Sequence, residues 1–245
     1  AEKGYMHIQF SVTKPGGHSS MPEKETALDI LLKAIVQLRA TPFEARFTES
    51  TQDFMRYLAP YMSFPNNMAM ANPVLFKKLI VQNYEKTGSG NAMIRTTDVP
   101  TIIHSGMKEN VIPTLATATI NFRLLPGDSA SFIIKKVREI IHDNRVVITV
   151  VDNNIHEGTR TASAKSEAFQ KIDSLVKRSY ANTLSAPFLL IGATDSRYFA
   201  TISDNIFKFS PMFDPIGFHG IDERVSLEGF RNSLWFFEQL MRSAN

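Results

Sequence analysis

The chain has 245 residues, and its 27 Lys and Arg against 24 Asp and Glu give a net charge of only +3. Hydrophobic residues make up 43% of it, which is normal for a globular core and excludes an intrinsically disordered chain. No apolar run approaches the roughly 18 residues of a membrane span. The absence of cysteine excludes disulfides, thiolate zinc ligands and a cysteine nucleophile. So small a net charge gives little support to nucleic-acid binding.

The N-terminal residues show the alternation of a β-strand, with Ile8, Phe10 and Val12 on one side. A chain that opens inside a structural element is typical of a processed product or a fragment, so we expect a longer parent protein. A breaker-rich loop follows, and Ser20 with Glu23 fits a capping box that predicts the start of a helix. The predicted buried stripe of this helix has apolar residues at helical spacing: Leu28, Leu31, Ile35 and Leu38.

Residues 41–90 hold several prolines between short helical patterns and predict an inserted helical subdomain. Beyond them, strands are predicted over 94–105, 116–124 and 146–151, with a helix after Ser129. Without the insertion, the order is strand, helix, strand, strand, helix, strand. This βαββαβ order predicts a ferredoxin-like α+β domain, a four-stranded antiparallel sheet with two helices on one face.

The polar segment 153–165 predicts a domain boundary, after which the pattern changes to α/β. Helices are predicted from Ser166 and Ser226, and short strands over 187–191 and 206–209. Two strands are too few for a covered sheet, so this part is expected to belong to a larger domain. The final helix is predicted to bury its apolar residues: Leu227, Phe230, Leu234, Phe237 and Leu240.

Four polar clusters in glycine-rich or turn-rich settings are candidate functional sites: residues 16–20, 108–110, 192–197 and 218–224. Each alone is equally consistent with a structural role. The loop around His18 could be only a turn, and Asn110 tolerates a left-handed backbone. Thr194 could be only a helix N-cap, and Arg123 only a solvated charge on a strand.

Together and in this order, the motifs resemble those of the zinc metallopeptidase family of aminoacylase, carboxypeptidase S, glutamate carboxypeptidase and succinyl-diaminopimelate desuccinylase. The similarity is strongest to the carboxypeptidase S and N-acyl amino acid hydrolase branch, and it spans nearly the whole chain. Five segments carry it: Pro15–Ser20, Gly106–Pro113, Asn121–Asp128, Gly192–Arg197 and His219–Arg224.

The resemblance implies a lid or dimerisation domain over residues 1–156, with the helical insertion at about 41–90. It implies that residues 157–245 are the C-terminal part of an α/β zinc-peptidase catalytic domain. His18 would stabilise the oxyanion in the partner subunit's active site, His219 would bind zinc, and Glu223 would orient the His219 loop. Arg123 would grip the substrate carboxylate within a set of implied substrate-binding residues: Asn110, Arg123, Thr194, Asp195 and Arg197.

The implied activity is metal-dependent hydrolysis of N-acyl amino acids or short peptides with a free carboxylate, by a homodimer that uses one or two zinc ions. The family's other metal ligands and its glutamate base have no counterpart in this sequence. Because a tight zinc site needs three or four protein ligands, we expect the chain alone to bind no zinc and to be inactive.

Two alternatives belong to other functional classes. The chain could be a dimerisation or binding module with no catalysis of its own. It could also be an RNA-binding sandwich, but the polar face of the strand from Thr117 to Arg123 lacks the aromatic residues on which bases stack. The sequence gives no indication of the cellular compartment.

Overall fold

A computed structural model describes residues 1–151, 155–180, 182–212, 215–217 and 220–243. Its main sheet has four antiparallel strands in the order β3-β5-β1-β6. These strands are Gly4–Thr13 (β1), Thr97–Ser105 (β3), Leu115–Leu124 (β5) and Val147–Val150 (β6). A separate two-stranded ribbon pairs Gly17–His18 (β2) with Val111–Ile112 (β4). The predicted α+β class, with its ferredoxin-like sheet, is confirmed.

One face of the sheet is apolar and the other is polar, because buried and partly exposed residues alternate along β1 and β5. Helices Ala27–Ala40 (α1) and Ala130–Ile141 (α6) cover the apolar face. The polar face carries Tyr5, His7, Asn121 and Arg123, none of which belongs to the hydrophobic core. The fully buried side chains of this core come from both strands and both helices and include Ile8, Phe10, Ile30, Leu31, Ile120, Phe122 and Ile133.

The start of α1 differs from the prediction. The hydroxyl of Thr26 accepts a hydrogen bond from the Asp29 N–H at 3.3 Å, and the Asp29 carboxylate accepts one from the Thr26 N–H at 2.8 Å. This pair is a complete capping box. The predicted start at Ser20 is wrong, because this second box lies further along the chain.

The region after α1 is helical, as predicted, and its helices continue to Ile94. They are Glu49–Leu58 (α2), a 3-10 helix over Ala59–Tyr61, Asn66–Ala71 (α3), Lys77–Tyr84 (α4) and Gly88–Ile94 (α5). Met55, Ala69 and Ile80 form a small core of their own. These helices therefore have a small apolar cluster separate from the core under the sheet.

Two further helices, Glu167–Ser179 (α7) and Leu227–Arg242 (α8), begin at the predicted positions, directly after their N-caps Ser166 and Ser226. They meet through Leu175, Val176 and Phe236. The strand predicted over 206–209 is wrong, because those residues have no strand pairing. None of the helices in the described ranges is long and apolar enough to cross a membrane.

The predicted burial of the apolar stripe of α8 is wrong. Leu227, Phe230, Leu234 and Phe237 are between 45% and 77% exposed. The face that packs inward instead contains Gly229, Ser233 and Phe236, because small residues allow a close approach and the Ser233 hydroxyl donates to the Pro211 carbonyl at 3.1 Å. A continuous apolar stripe is left on the surface.

Candidate functional site

The short ribbon of β2 and β4 brings together two motifs that are far apart in sequence. His18 pairs with Val111, and the Ser19 N–H donates to the Asn110 carbonyl at 3.1 Å. Both His18 and Asn110 are exposed. The structure therefore places these two predicted site residues side by side at one end of the lid.

The hydrogen bonds of His18 define which of its ring nitrogens carries the proton. The Ser20 N–H donates to Nδ1 of His18 at 3.2 Å, and the Ser20 hydroxyl lies 2.8 Å from the same atom. An N–H donor requires a lone pair on Nδ1, so the neutral ring carries its proton on Nε2. The exposed ring thus presents an N–H donor, which is the group that stabilises a developing oxyanion.

A second cluster surrounds Tyr5 on the polar face of the sheet. The Arg123 guanidinium carbon lies 5.6 Å from the centre of the Tyr5 ring, and that of Arg197 lies 5.7 Å from the same centre. Among the residues that the structure describes, Arg123 makes neither an ion pair nor a hydrogen bond. Its fork of N–H donors is therefore available to a carboxylate.

Arg197 is held more firmly than Arg123. Its Nη2 donates to the Tyr198 hydroxyl at 3.0 Å, and its Nη1 lies 3.4 Å from the Thr194 carbonyl. The hydrogen bond with Tyr198 raises the pKa of the guanidinium above its ordinary value. The buried Nε atom has no partner among the described residues. Each terminal nitrogen uses one N–H in these bonds and therefore keeps a second N–H for a ligand.

Sequence reasoning missed Tyr5 and gave His156 no role. Tyr5 and His156 exchange two backbone hydrogen bonds, at 2.7 and 2.9 Å, and their ring centres are 4.9 Å apart. Burial, with the Arg197 charge as a second cause, lowers the pKa of His156. The alternation of His7 and Gln9, extended backwards, could have placed Tyr5 on the polar face, whereas nothing in the sequence signals His156.

Thr194 is committed to the local structure of its loop. Its hydroxyl caps the 3-10 helix Asp195–Thr201 by accepting from the Ser196 N–H at 3.3 Å, and it also donates to the Glu2 carboxylate at 2.6 Å. Asp195 is exposed. Thr194, Asp195 and Arg197 thus share one loop, and of the three Arg197 meets the Tyr5 ring that Arg123 also contacts.

The remaining predicted residues belong to the loop after residue 215. His219 lies outside the described residues. Glu223 is exposed and has no ion pair within the described ranges, since Arg224 pairs with Asp222 instead. Among the described residues no group of three or more His, Cys, Asp or Glu side chains could hold a metal ion.

The two clusters lie at opposite ends of the sheet. Tyr5 pairs with Arg123 at one end of β1, and Thr13 pairs with Leu115 at the other, next to the ribbon. At a rise of about 3.3 Å per residue, the distance from Tyr5 to Thr13 is roughly 26 Å. A single protomer therefore does not bring His18 and Asn110 to Arg123 and Arg197.

Residues 1–147 match the family model described as the peptidase dimerisation domain of the M20 peptidases. Among solved structures, an M20 family metallo-carboxypeptidase from Sulfolobus solfataricus superposes with a TM-score of 0.64 at 15% identity, over 98% of this chain and 58% of that chain. The di-peptidase Dug1p from Saccharomyces cerevisiae gives a TM-score of 0.60 at 12% identity, over 96% of this chain and 53% of that one. At these identities the two likenesses concern the fold.

Curated relatives match along the entire chain. The carboxypeptidase S-like protein 2 of Dictyostelium discoideum is 35% identical over 246 residues, which are 99% of this chain and 47% of the relative. The human N-fatty-acyl-amino acid synthase/hydrolase PM20D1 is 34% identical over 251 residues, covering 100% of this chain and 50% of the relative. The chain thus spans about half the length of the curated relatives it matches.

Proposed function

Because this chain belongs to the peptidase dimerisation domain family of the M20 peptidases, we propose that it supplies the dimerising lid and the carboxylate-binding residues of a metal-dependent amidohydrolase. The substrates are N-acyl amino acids or short peptides with a free carboxylate. The names of the relatives, carboxypeptidase S-like protein and N-fatty-acyl-amino acid synthase/hydrolase, support this substrate class.

The observation that carries the proposal is the pair of guanidinium groups on the Tyr5 ring. Arg123 comes from the sheet and Arg197 from the loop after residue 191, and each lies less than 6 Å from the ring centre. Two cations with unused N–H donors attract a carboxylate and fix its orientation. One end of the substrate is thereby anchored, so that the amide bond is held in a fixed position relative to the catalytic groups.

His18 acts on the amide carbonyl from the partner subunit. The His18 side chain is exposed and keeps its Nε2–H as a donor, and a donor held where negative charge develops lowers the barrier to amide cleavage. The sheet length separates His18 from Arg123 within one protomer, which supports an active site shared between two protomers. Asn110 accompanies His18 in this role, because it lies on the same ribbon.

The dimer forms through the β3 edge and the adjacent helix α1. Among the described residues, β3 pairs with β5 alone, and three of its apolar residues are close to half exposed: Val99, Ile102 and Ile103. Leu32 and Val36 of α1 are also exposed, and an ion pair of 3.1 Å between Arg39 and Asp98 joins α1 to β3. An unpaired strand edge beside an apolar helix face is suited to pairing with a second copy.

Residues 157–245 are proposed to be the C-terminal part of the catalytic domain. The exposed stripe of α8 supports this, as does an apolar cavity of about 270 Å³ between α7 and the segments around residues 187–190 and 206–209. Apolar surface of this kind marks a contact with other protein. The remainder of the catalytic domain would cover it and supply the zinc ligands other than His219, so the chain alone is expected to be inactive.

The alternative function is a dimerisation or binding module without catalysis. The lack of a metal-binding group of side chains among the described residues favours it for this chain in isolation. An amide hydrolysis assay of the chain alone, with and without chelator, separates the two, since chelator-sensitive hydrolysis would exclude the binding module.

The test of the proposed function is Arg123→Ala in the full-length protein. We expect KM for an N-acyl amino acid to rise at least about tenfold, because a charge-assisted bidentate contact is lost. KM for the matching C-terminal amide should hardly change. Arg138→Ala is the control, because Arg138 is an exposed arginine on α6, on the opposite side of the sheet. Equal rises in KM for the acid and the amide would refute the assignment of Arg123 to the substrate carboxylate.

A further inference from the structure

Glu2 is a buried acidic residue that has no place in the function described so far. Only 2% of its surface is exposed. Its main chain is held on two sides: its N–H donates to the Thr159 hydroxyl at 2.8 Å, its carbonyl accepts from the Thr159 N–H at 3.0 Å, and it bridges to Leu190. Residues 1–3 thus lie against the segment that leads into the loop 192–197.

The side chain of Glu2 points at that loop. Its carboxylate accepts hydrogen bonds from the Thr194 N–H at 3.0 Å, the Thr194 hydroxyl at 2.6 Å and the Ser196 hydroxyl at 3.0 Å. The nearest cation, the Lys208 ammonium, is 3.9 Å away. The hydrogen bonds of this carboxylate therefore hold one end of the loop in place.

Fixing Thr194 also fixes Arg197. Thr194 caps the 3-10 helix that contains Arg197, and its carbonyl lies 3.4 Å from Nη1 of Arg197. Tyr5, three residues after Glu2 on the same stretch of chain, receives the Arg197 guanidinium on its ring and pairs with Arg123. One short segment thus holds the base of the loop through Glu2 and the arginine head group through Tyr5.

We propose that Glu2 is a positioning residue for substrate binding: its buried carboxylate sets the loop 194–197 so that Arg197 stands beside Arg123 at the carboxylate site. This inference rests on the proposed function. Glu2 touches no substrate and acts through Thr194 and Arg197. A residue with a merely structural role would lower stability and the active fraction of the enzyme, but would leave KM unchanged.

The experiment compares three substitutions in the full-length protein. Glu2→Ala removes all the loop contacts, and KM for an N-acyl amino acid should rise roughly tenfold with KM for the matching amide unchanged. KM of Glu2→Gln for the N-acyl amino acid should stay within about threefold of the parent value. The reason is that the amide can accept from the Thr194 N–H and donate to the two hydroxyls. Glu157→Ala is the matched control, since the Glu157 carboxylate caps α6 by accepting from the Ala130 N–H at 3.1 Å and does not contact the loop. It should lower the melting temperature and leave both KM values unchanged.

Two results would overturn the inference: an unchanged KM in Glu2→Ala, or equal changes on the acid and the amide. If Glu2→Ala does not fold, Glu2→Asp decides, because its shortened carboxylate cannot reach all three donors and should still raise KM selectively for the acid. An unchanged KM in Glu2→Asp would then refute the inference. Arg123→Ala, measured in parallel, separates the two proposals: if it shows no preference for the acid, the proposed function fails, and if it alone behaves as expected, only the role of Glu2 fails.

Discussion

A shared active site can be tested by mixing two variants that are each impaired. If a complete site takes Arg123 from one protomer and His18 from its partner, then His18→Ala and Arg123→Ala should complement each other when they form mixed dimers. The structural reason is the separation of roughly 26 Å along β1 between the Arg123 end and the ribbon end of the sheet. His18 and Arg123 of one protomer therefore cannot act on the same substrate, and in the proposed dimer the partner supplies His18.

The size of the rescue follows from counting sites. With free exchange at equal amounts, about half of the dimers are mixed, and each mixed dimer has one intact site and one doubly defective site. The mixture should therefore reach about a quarter of the parent activity. The background is smaller than this. His18→Ala homodimers lose about 10²- to 10³-fold in kcat without the oxyanion donor, and Arg123→Ala homodimers keep at most about a tenth of the parent kcat/KM.

The assay is kcat/KM for an N-acyl amino acid, measured on full-length variants that have been co-expressed or unfolded and refolded together. A mixture of His18→Ala with Asn110→Ala is the matched control. Both residues lie on one ribbon, so every site in that mixture keeps one defect and no rescue is expected. The shared site would be refuted if the mixture were no more active than the mean of the two variants measured alone. Equal rescue in the control mixture would refute it as well.

The other predictions concern assembly and pH. Ile103→Lys on the β3 edge should raise the dimer dissociation constant at least about tenfold. Val147→Lys lies on the opposite edge strand, where Val147 is 55% exposed, and should leave that constant unchanged. Sedimentation equilibrium measures both constants, and equal effects would exclude the β3 edge as the dimer interface. Hydrogen bonds from Lys33 and then Arg145 lower the pKa of Glu25 to about 2 from 4.5. This contribution to stability is complete above pH 4.5 and is lost as the pH falls through about 2. Glu25→Gln should accordingly flatten the fall in unfolding free energy over that range in urea titrations, and an unchanged slope would contradict the assignment.

Much of the lid could be predicted from local patterns. The alternation from Ile8 to Val12 and from Ala116 to Leu124 predicts strands with one buried face, and the order of elements predicts the sheet. The helix starts predicted at Ser129, Ser166 and Ser226 are confirmed, and each of these serines is an N-cap. The true start of α1 was missed because two capping boxes compete in the sequence, and local spacing does not rank them.

Burial in the second part could not be predicted in the same way. A helical apolar stripe indicates which residues share a face, but not which face meets another element. In α8 the small residues Gly229 and Ser233 face the packed side, and the stripe from Leu227 to Phe237 stays exposed. Periodicity along one helix carries no information about how many neighbours that helix has.

By itself, the sequence determined the chemistry that each loop offers and the class of the lid, since turn residues, caps and alternation act over a few neighbouring residues. The tertiary structure alone decided which loops meet. It placed Asn110 beside His18, put Arg197 on the same tyrosine ring as Arg123, and buried Glu2 under Thr194. The physical reason is that strand register and loop packing join residues up to 194 positions apart, and such contacts produce no periodic pattern in the sequence.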